Sequence, residues 1–197
     1  MKSFNGKLLL FGEYGLLYGA DALAVPFPNF NGAFKFSKEK TNSINTSQNE
    51  IKKFIAHFTQ HNLNQKMHIK IRAEELENDL SEGLYFDSNI PLQYGVGSSG
   101  AFCAAIFDHY STFQKSKRDL HDNKLLQSLK EDFSLLESIF HGRSSGIDPL
   151  VSFINRPVLF SPEKIELPVI KTRANDFSIF LIDTKIKSST APLVQLF

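Results

Sequence analysis

Tryptophan is absent from the 197 residues, and cysteine occurs once, at Cys103. A single thiol excludes a disulfide framework, and inside the apolar run 101–107 it reads as a small buried hydrophobe and not as a nucleophile. Charge of one sign is also missing: 22 Lys and Arg against 21 Asp and Glu leave +1, too little to draw a nucleic acid or an anionic membrane. No apolar run reaches the length of a membrane span. Residues 7–11 run into Gly12-Glu13 and are too short for a signal-peptide core. A soluble, cytoplasmic protein is expected. Apolar bulk is plentiful, with 42% hydrophobic residues and 19 phenylalanines. That suffices for a core in one large or two small domains.

The richest stretch runs from Pro91 to Ala101, where Gly95, Val96, Gly97, Ser98, Ser99 and Gly100 precede an apolar helix-like segment. Glycines let a backbone turn tightly and approach a ligand closely. A following helix start presents free N–H groups and a positive dipole end to an anion. The stretch matches G-x-G-x-x-G, but Pro91 spoils a central strand before it. Some 20 residues on, Gln114-Lys-Ser-Lys-Arg118 offers no strand ending in an acid, so the dinucleotide fingerprint fails on context. A Walker A loop fails for want of Gly-Lys-Ser/Thr. A phosphate cradle with serine hydroxyls for Mg²⁺ remains, beside an ordinary Gly/Ser helix entry that binds nothing.

Two further segments can carry chemistry. Glu137 and His141 are four residues apart on one helix face, and the small polar loop after Gly142 ends at Asp148. One carboxylate can ligate a metal while the other takes a proton; taken alone, the segment is more simply a solvated Glu and a capping Asp. Near the N-terminus, Lys7 and Glu13 flank a short apolar strand. His57 and His61 share helical spacing but have no third ligand nearby, so an ordinary helix surface is expected.

Along the chain, strands are expected at 7–11, 33–36, 67–71, 151–154, 158–160 and 177–183. The polar stretch 38–49 reads as a loop and 115–123 as a surface connection, while 74–90 holds many acids and turn formers. Helices are expected over 51–58, 101–113 and 125–140, the last ended by Gly142. Residues 190–197 look like the opening of another helix.

Together, the three segments resemble the GHMP kinases. Gly6-Lys7 through Gly12-Glu13 to Ala22-Leu23 is similar to the first motif of that superfamily. Pro91 to Ser99 is similar to its second, with Val96 for Leu. Glu137…His141-Gly142…Ser145-Gly146-Ile147-Asp148 is most similar to the mevalonate kinase branch, as is the stretch from Asp183 to Thr190. The resemblance implies an α+β fold: a GHMP kinase N-terminal domain of the ribosomal protein S5 domain 2-like type over 1–160. Residues 161–197 would then begin an incomplete ferredoxin-like C-terminal domain, because the family's third motif is absent and the chain ends inside a helix-like pattern.

The resemblance also implies roles. Pro91, Gly95 to Gly100 and Ala101 would hold the phosphates of ATP, with Ser99 and Glu137 on Mg²⁺. Asp148 would take or orient the proton of the attacking hydroxyl, and Lys7 would help neutralise the charge in flight. Glu13, Tyr14, His141, Ser145 and Thr190 would lie near a small-molecule alcohol, mevalonate first, with phosphomevalonate, homoserine and sugar kinases as alternatives. Many mevalonate kinases have His where Tyr14 stands, which bears on substrate choice. A non-catalytic remnant exposing apolar surface, and pairing into a homodimer through it, is the reading from another class.

Overall fold

The structure, a computed structural model, describes residues 1–12, 15–92, 94–114, 120, 122–169 and 182. Its sheet is built around one long strand. β1 (Phe4–Phe11) leads through a 3₁₀ turn at Gly15–Tyr18 into β2 (Ala22–Phe36). The two run antiparallel, Phe4 opposite Gly32 and Leu8 opposite Val25, with irregularities after Asn5 and Leu9. On its other edge, residues 22–24 of β2 pair with β4 (Val158–Phe160) and residues 32–36 with β3 (Leu84–Ser88), both antiparallel. β5 (Ile165–Glu166) extends the sheet beyond β4.

β2 takes in the short strand expected at 33–36 and runs on through Pro26 and Pro28. Both prolines fall where, among the described residues, β2 has β1 on one edge and no strand on the other. An absent N–H on that open edge breaks no ladder bond.

Six helices accompany the sheet among the described residues: α1 (Asn42–Gln60), α2 (Leu63–Lys66), α3 (Ala73–Ser81), α4 (Ser98–Tyr110), α5 (Asn123–His141) and α6 (Ile147–Ile154). α4 and α6 pack on each other and on β1 and β2, and α5 packs across both. α4 is buried nearly all round, from Gly100 to Phe107 and again at Tyr110. It carries Phe102 and Phe107 into two aromatic clusters. Phe102 lies 5.4 Å from Phe86, 5.8 Å from Phe54 and 5.6 Å from Phe140, all edge to face. Phe107 lies 4.8 Å from Phe133 and 5.3 Å from Phe153. Such pairs add about 0.5–1.5 kcal/mol beyond the area they bury, which is the use this tryptophan-free chain makes of its phenylalanines. Cys103 is fully buried on the same helix, as expected.

Several local expectations are corrected. The polar stretch 38–49 is a loop only to Thr41, whose side chain accepts a hydrogen bond from the Ile44 N–H and starts α1. Its first turns are polar because they face solvent, with Ile44 alone turned into the core. Residues 73–81 and 84–88, read as acids and turn formers, are α3 and β3. Residues 67–71 alternate but form no strand. The His68 and Ile69 N–H groups donate to the buried Asp132 carboxylate at 2.7 and 2.8 Å, leaving one bridge from Ile71 to Ser111.

The run 151–154 is the end of α6 and not a strand. A short run buried throughout, Ser152 included, has no periodicity to separate the two. Asn155, left-handed at φ 55°, closes that helix. The strand expected at 158–160 is β4, and Gly142 ends α5. The expectations at 115–119, 177–181 and 183–197 lie outside the described residues. No helix among those described is long and apolar enough to cross a membrane.

Candidate active site

The site lies where β1, the glycine loop, α4, α5 and α6 converge. Gly97, left-handed at φ 82°, is the N-cap of α4, and no side chain caps that helix. The first N–H groups of α4 therefore point outward, in the arrangement that binds anions. Gly95, also left-handed at φ 70°, has nothing within 4 Å of where a Cβ would stand. Val96 contributes differently. Its side chain is buried, and its carbonyl accepts a 3.0 Å bond from the Lys7 backbone N–H, which fastens the loop to β1. Ala101 is buried within α4 and faces the core; Pro91 is partly buried at the start of the loop.

Lys7 is 7% exposed although it is charged. Its ammonium Nζ lies 3.0 Å from Asp148 Oδ1. A cation buried this far requires such a partner. Lys7 thus ties together two sequence-distant motifs: its backbone holds the glycine loop, and its side chain holds Asp148. Asp148 sits in the first turn of α6, where the positive end of the helix favours a carboxylate. The closeness of α4 and α6 depends on Gly100, where a Cβ would lie 2.8 Å from the Asp148 carbonyl carbon and 2.9 Å from Pro149 N.

Glu137, in the last turns of α5, is 4% exposed. Ser99 Oγ donates to its Oε1 at 2.9 Å, and Ser144 Oγ donates to its Oε2. Burial pushes the Glu137 carboxyl up to about 7, and the nearby negative charge of Asp148 adds to this. The hydroxyl bonds and Lys7 oppose the shift. Two carboxylates therefore share the site with one ammonium, which favours a further cation. A hydroxyl and a carboxylate are hard oxygen donors of the kind Mg²⁺ takes alongside waters and phosphate oxygens. Among the described residues there is no all-protein cluster of three or more His, Cys, Asp or Glu that could hold a metal ion.

His141 Nε2 is 3.1 Å from Ser99 Oγ, so the expected i,i+4 pair with Glu137 converges on one serine. Ser145 does not reach the Glu137 carboxylate; its hydroxyl accepts from the Ile147 N–H at 3.3 Å, at the start of α6. The sequence reading missed its neighbour Ser144. Only the fold decides which of two adjacent serines turns toward Glu137, and no sequence signal separates them. Glu13, Tyr14 and Thr190 lie outside the described residues. The rings of His57, in the last turn of α1, and His61, its C-cap, lie 4.2 Å apart and tilted by 37°, with no third ligand among the described residues.

Comparison with known proteins shows the family. The model of the GHMP kinases N terminal domain matches residues 49–155, a span that holds the glycine loop, Glu137 and Asp148 but not Lys7. A mevalonate kinase of Archaeoglobus fulgidus is 29% identical over 98% of this chain and 61% of its own length. A mevalonate kinase of Candida albicans is 31% identical over 54% of this chain and 28% of its own. In fold, the chain is similar to the crystal structure of L. major mevalonate kinase in complex with R-mevalonate. That likeness has a TM-score of 0.55 at 17% identity, over 98% of this chain and 58% of that one. The chain thus spans about three-fifths of the length of the Archaeoglobus fulgidus and L. major proteins. With a family model over more than half its residues and the glycine loop, Glu137 and Asp148 all inside the matched span, the chain belongs to the GHMP kinases, whose N-terminal domain it carries.

Proposed function

We propose that this chain provides the nucleotide-binding and proton-accepting machinery of an ATP-dependent small-molecule kinase acting on a primary alcohol, mevalonate in the first instance. The observation that carries the reading is the double role of Lys7, whose backbone holds the glycine loop at Val96 and whose ammonium holds Asp148. One residue thereby sets the distance between the phosphate cradle and the proton acceptor. Both relatives matched in sequence are mevalonate kinases, which supports that substrate over phosphomevalonate, homoserine or a sugar.

The loop 95–99 and the uncapped start of α4 would bind the ATP phosphates through backbone N–H groups. Ser99 and Glu137 would hold Mg²⁺, which supplies charge neutralisation on the phosphate oxygens when bound. With Oδ1 of Asp148 held by Lys7, Oδ2 accepts the proton of the alcohol. The alcohol oxygen bonds to the γ-phosphorus as the bond to the β-phosphate oxygen breaks, and ADP leaves. Lys7 offsets the charge that spreads over the transferring group, and positioning with such charge stabilisation accounts for most catalysis of this reaction class.

The test is ADP release by the 197-residue chain with Mg-ATP and R-mevalonate, beside a panel of other alcohols. Removing the acceptor in Asp148→Ala is expected to lower turnover by about 10²–10⁴-fold. Release no faster than in that variant, with every alcohol, overturns catalysis by this chain. A preference for another alcohol would correct the substrate alone.

A further inference from the structure

Ser144 is held by three neighbours, two at its hydroxyl and one at its carbonyl. Its oxygen accepts the Gly146 N–H at 3.0 Å, so its single proton is committed to Glu137 Oε2. Its carbonyl accepts from Ser134 Oγ at 2.6 Å, which fixes the backbone of residue 144 against α5. The other carboxylate oxygen, Oε1, faces Ser99. Glu137 is therefore not symmetric: Oε2 is occupied by a donor that belongs to the loop leading into α6, and Oε1 alone is turned to the hydroxyl at the start of α4.

We propose that Ser144 is the positioning residue that makes Glu137 a one-oxygen ligand, locking Oε2 and aiming Oε1 at the cation shared with Ser99. This rests on the reading of Ser99 and Glu137 as the metal-holding pair. A buried carboxylate without that lock can turn about its terminal bond and present either oxygen, or both, so it binds in a mixture of geometries. The lock also links the metal ligand to the proton acceptor, because the chain Glu137–Ser144–Gly146 ends two residues before Asp148. Partners of metal-ligating carboxylates commonly set affinity by about 10–100-fold.

The experiment titrates Mn²⁺ into the chain with a non-hydrolysable ATP analogue, followed by electron paramagnetic resonance, so that metal affinity is read without turnover. Ser144→Ala is expected to weaken Mn²⁺ binding by about 10–100-fold at an unchanged melting temperature of the metal-free chain. Ser144→Thr, which keeps the hydroxyl, should recover most of it. Where alanine does not fold, Ser144→Cys gives the same measurement with a weak donor of similar size. Wild-type affinity in Ser144→Ala or Ser144→Cys, or loss in Ser144→Ala and Ser144→Thr alike, overturns the role of the hydroxyl. Glu137→Gln separates the two levels. If it loses Mn²⁺ while Ser144→Ala keeps it, the metal site stands and the lock falls. If Glu137→Gln binds as the wild type does, the metal site and the lock fall together.

Discussion

Four of the helices begin in two different ways. α1 and α5 lie outside the glycine loop and start conventionally: Thr41 accepts from Ile44 N–H and Asp122 from Lys124 N–H. α4 and α6, which meet at the site, start from glycines in the left-handed region, Gly97 at φ 82° and Gly146 at φ 73°, and neither glycine supplies a side-chain cap. A capping side chain contributes about 1 kcal/mol to a helix. The two site helices forgo that contribution at their cap positions. At α4 this keeps the backbone donors available to a ligand. At α6 the reason is space, since a Cβ on Gly146 would lie 2.0 Å from the Lys130 carbonyl oxygen. Stability and function therefore ask for different residues at the same kind of position.

Four substitutions or conditions sharpen that contrast. The largest effect is expected from Gly146→Ala, which combines a left-handed φ with a backbone collision. About 2–5 kcal/mol of stability should be lost, read by urea denaturation. Gly97→Ser comes next: it gives α4 a side-chain oxygen like that of α1, at a φ that costs about 1–2 kcal/mol. Its Cβ would stand 2.9 Å from Lys7 Cγ and push the ammonium from Asp148. ATP-analogue affinity, measured by calorimetry, should fall at least about tenfold through the loss of a charge-assisted bond. A tight-binding Gly97→Ser chain would show that an uncapped start is not what the site needs.

Thr41→Ala is the converse, expected to cost about 1 kcal/mol in denaturation while nucleotide affinity stays that of the wild type. The smallest effect concerns acid. Burial raises the Asp132 carboxyl above its ordinary value, more than its two backbone donors lower it. A carboxyl whose folded pKa is raised binds its proton more readily when folded, so stability falls as pH rises through the interval between unfolded and folded values. Asp132→Asn removes that titration. The wild type should therefore gain stability relative to Asp132→Asn as pH is lowered from 7 toward 4, followed by thermal melting at each pH.

How much could be read before folding differs between the sheet, the helices and the site. The glycine loop stood out by its own composition, whereas Lys7, Glu137 and Asp148 were singled out by the resemblance of three ordered segments to one family, since Glu137 and Asp148 alone read as a solvated Glu and a capping Asp. The end of α5 at Gly142 was legible because a C-terminal glycine is a local signal. β2 was not, since its passage through Pro26 and Pro28 is permitted by a gap between β3 and β4 that no local window shows. The end of α6 was misread as a strand because Val151 to Ile154 is buried on every side and so carries no period. Residues 67–71 alternate as a strand does, yet a remote carboxylate, Asp132, takes the hydrogen bonds that a neighbouring strand would supply.

The sequence by itself determined the chemical inventory: a glycine loop, a lysine, two carboxylates and a set of serines, in an order that places them on successive elements. It could do so because turns, caps and helix faces follow from residues a few positions apart. The tertiary structure alone decided the pairing. It set the Lys7 ammonium on Asp148, turned Ser99 to one oxygen of Glu137, and gave the other oxygen to Ser144 and not to Ser145. Those choices depend on how closely α4, α5 and α6 approach one another. That distance is fixed by Gly100, Gly146 and the phenylalanine core, acting between residues that the chain keeps far apart.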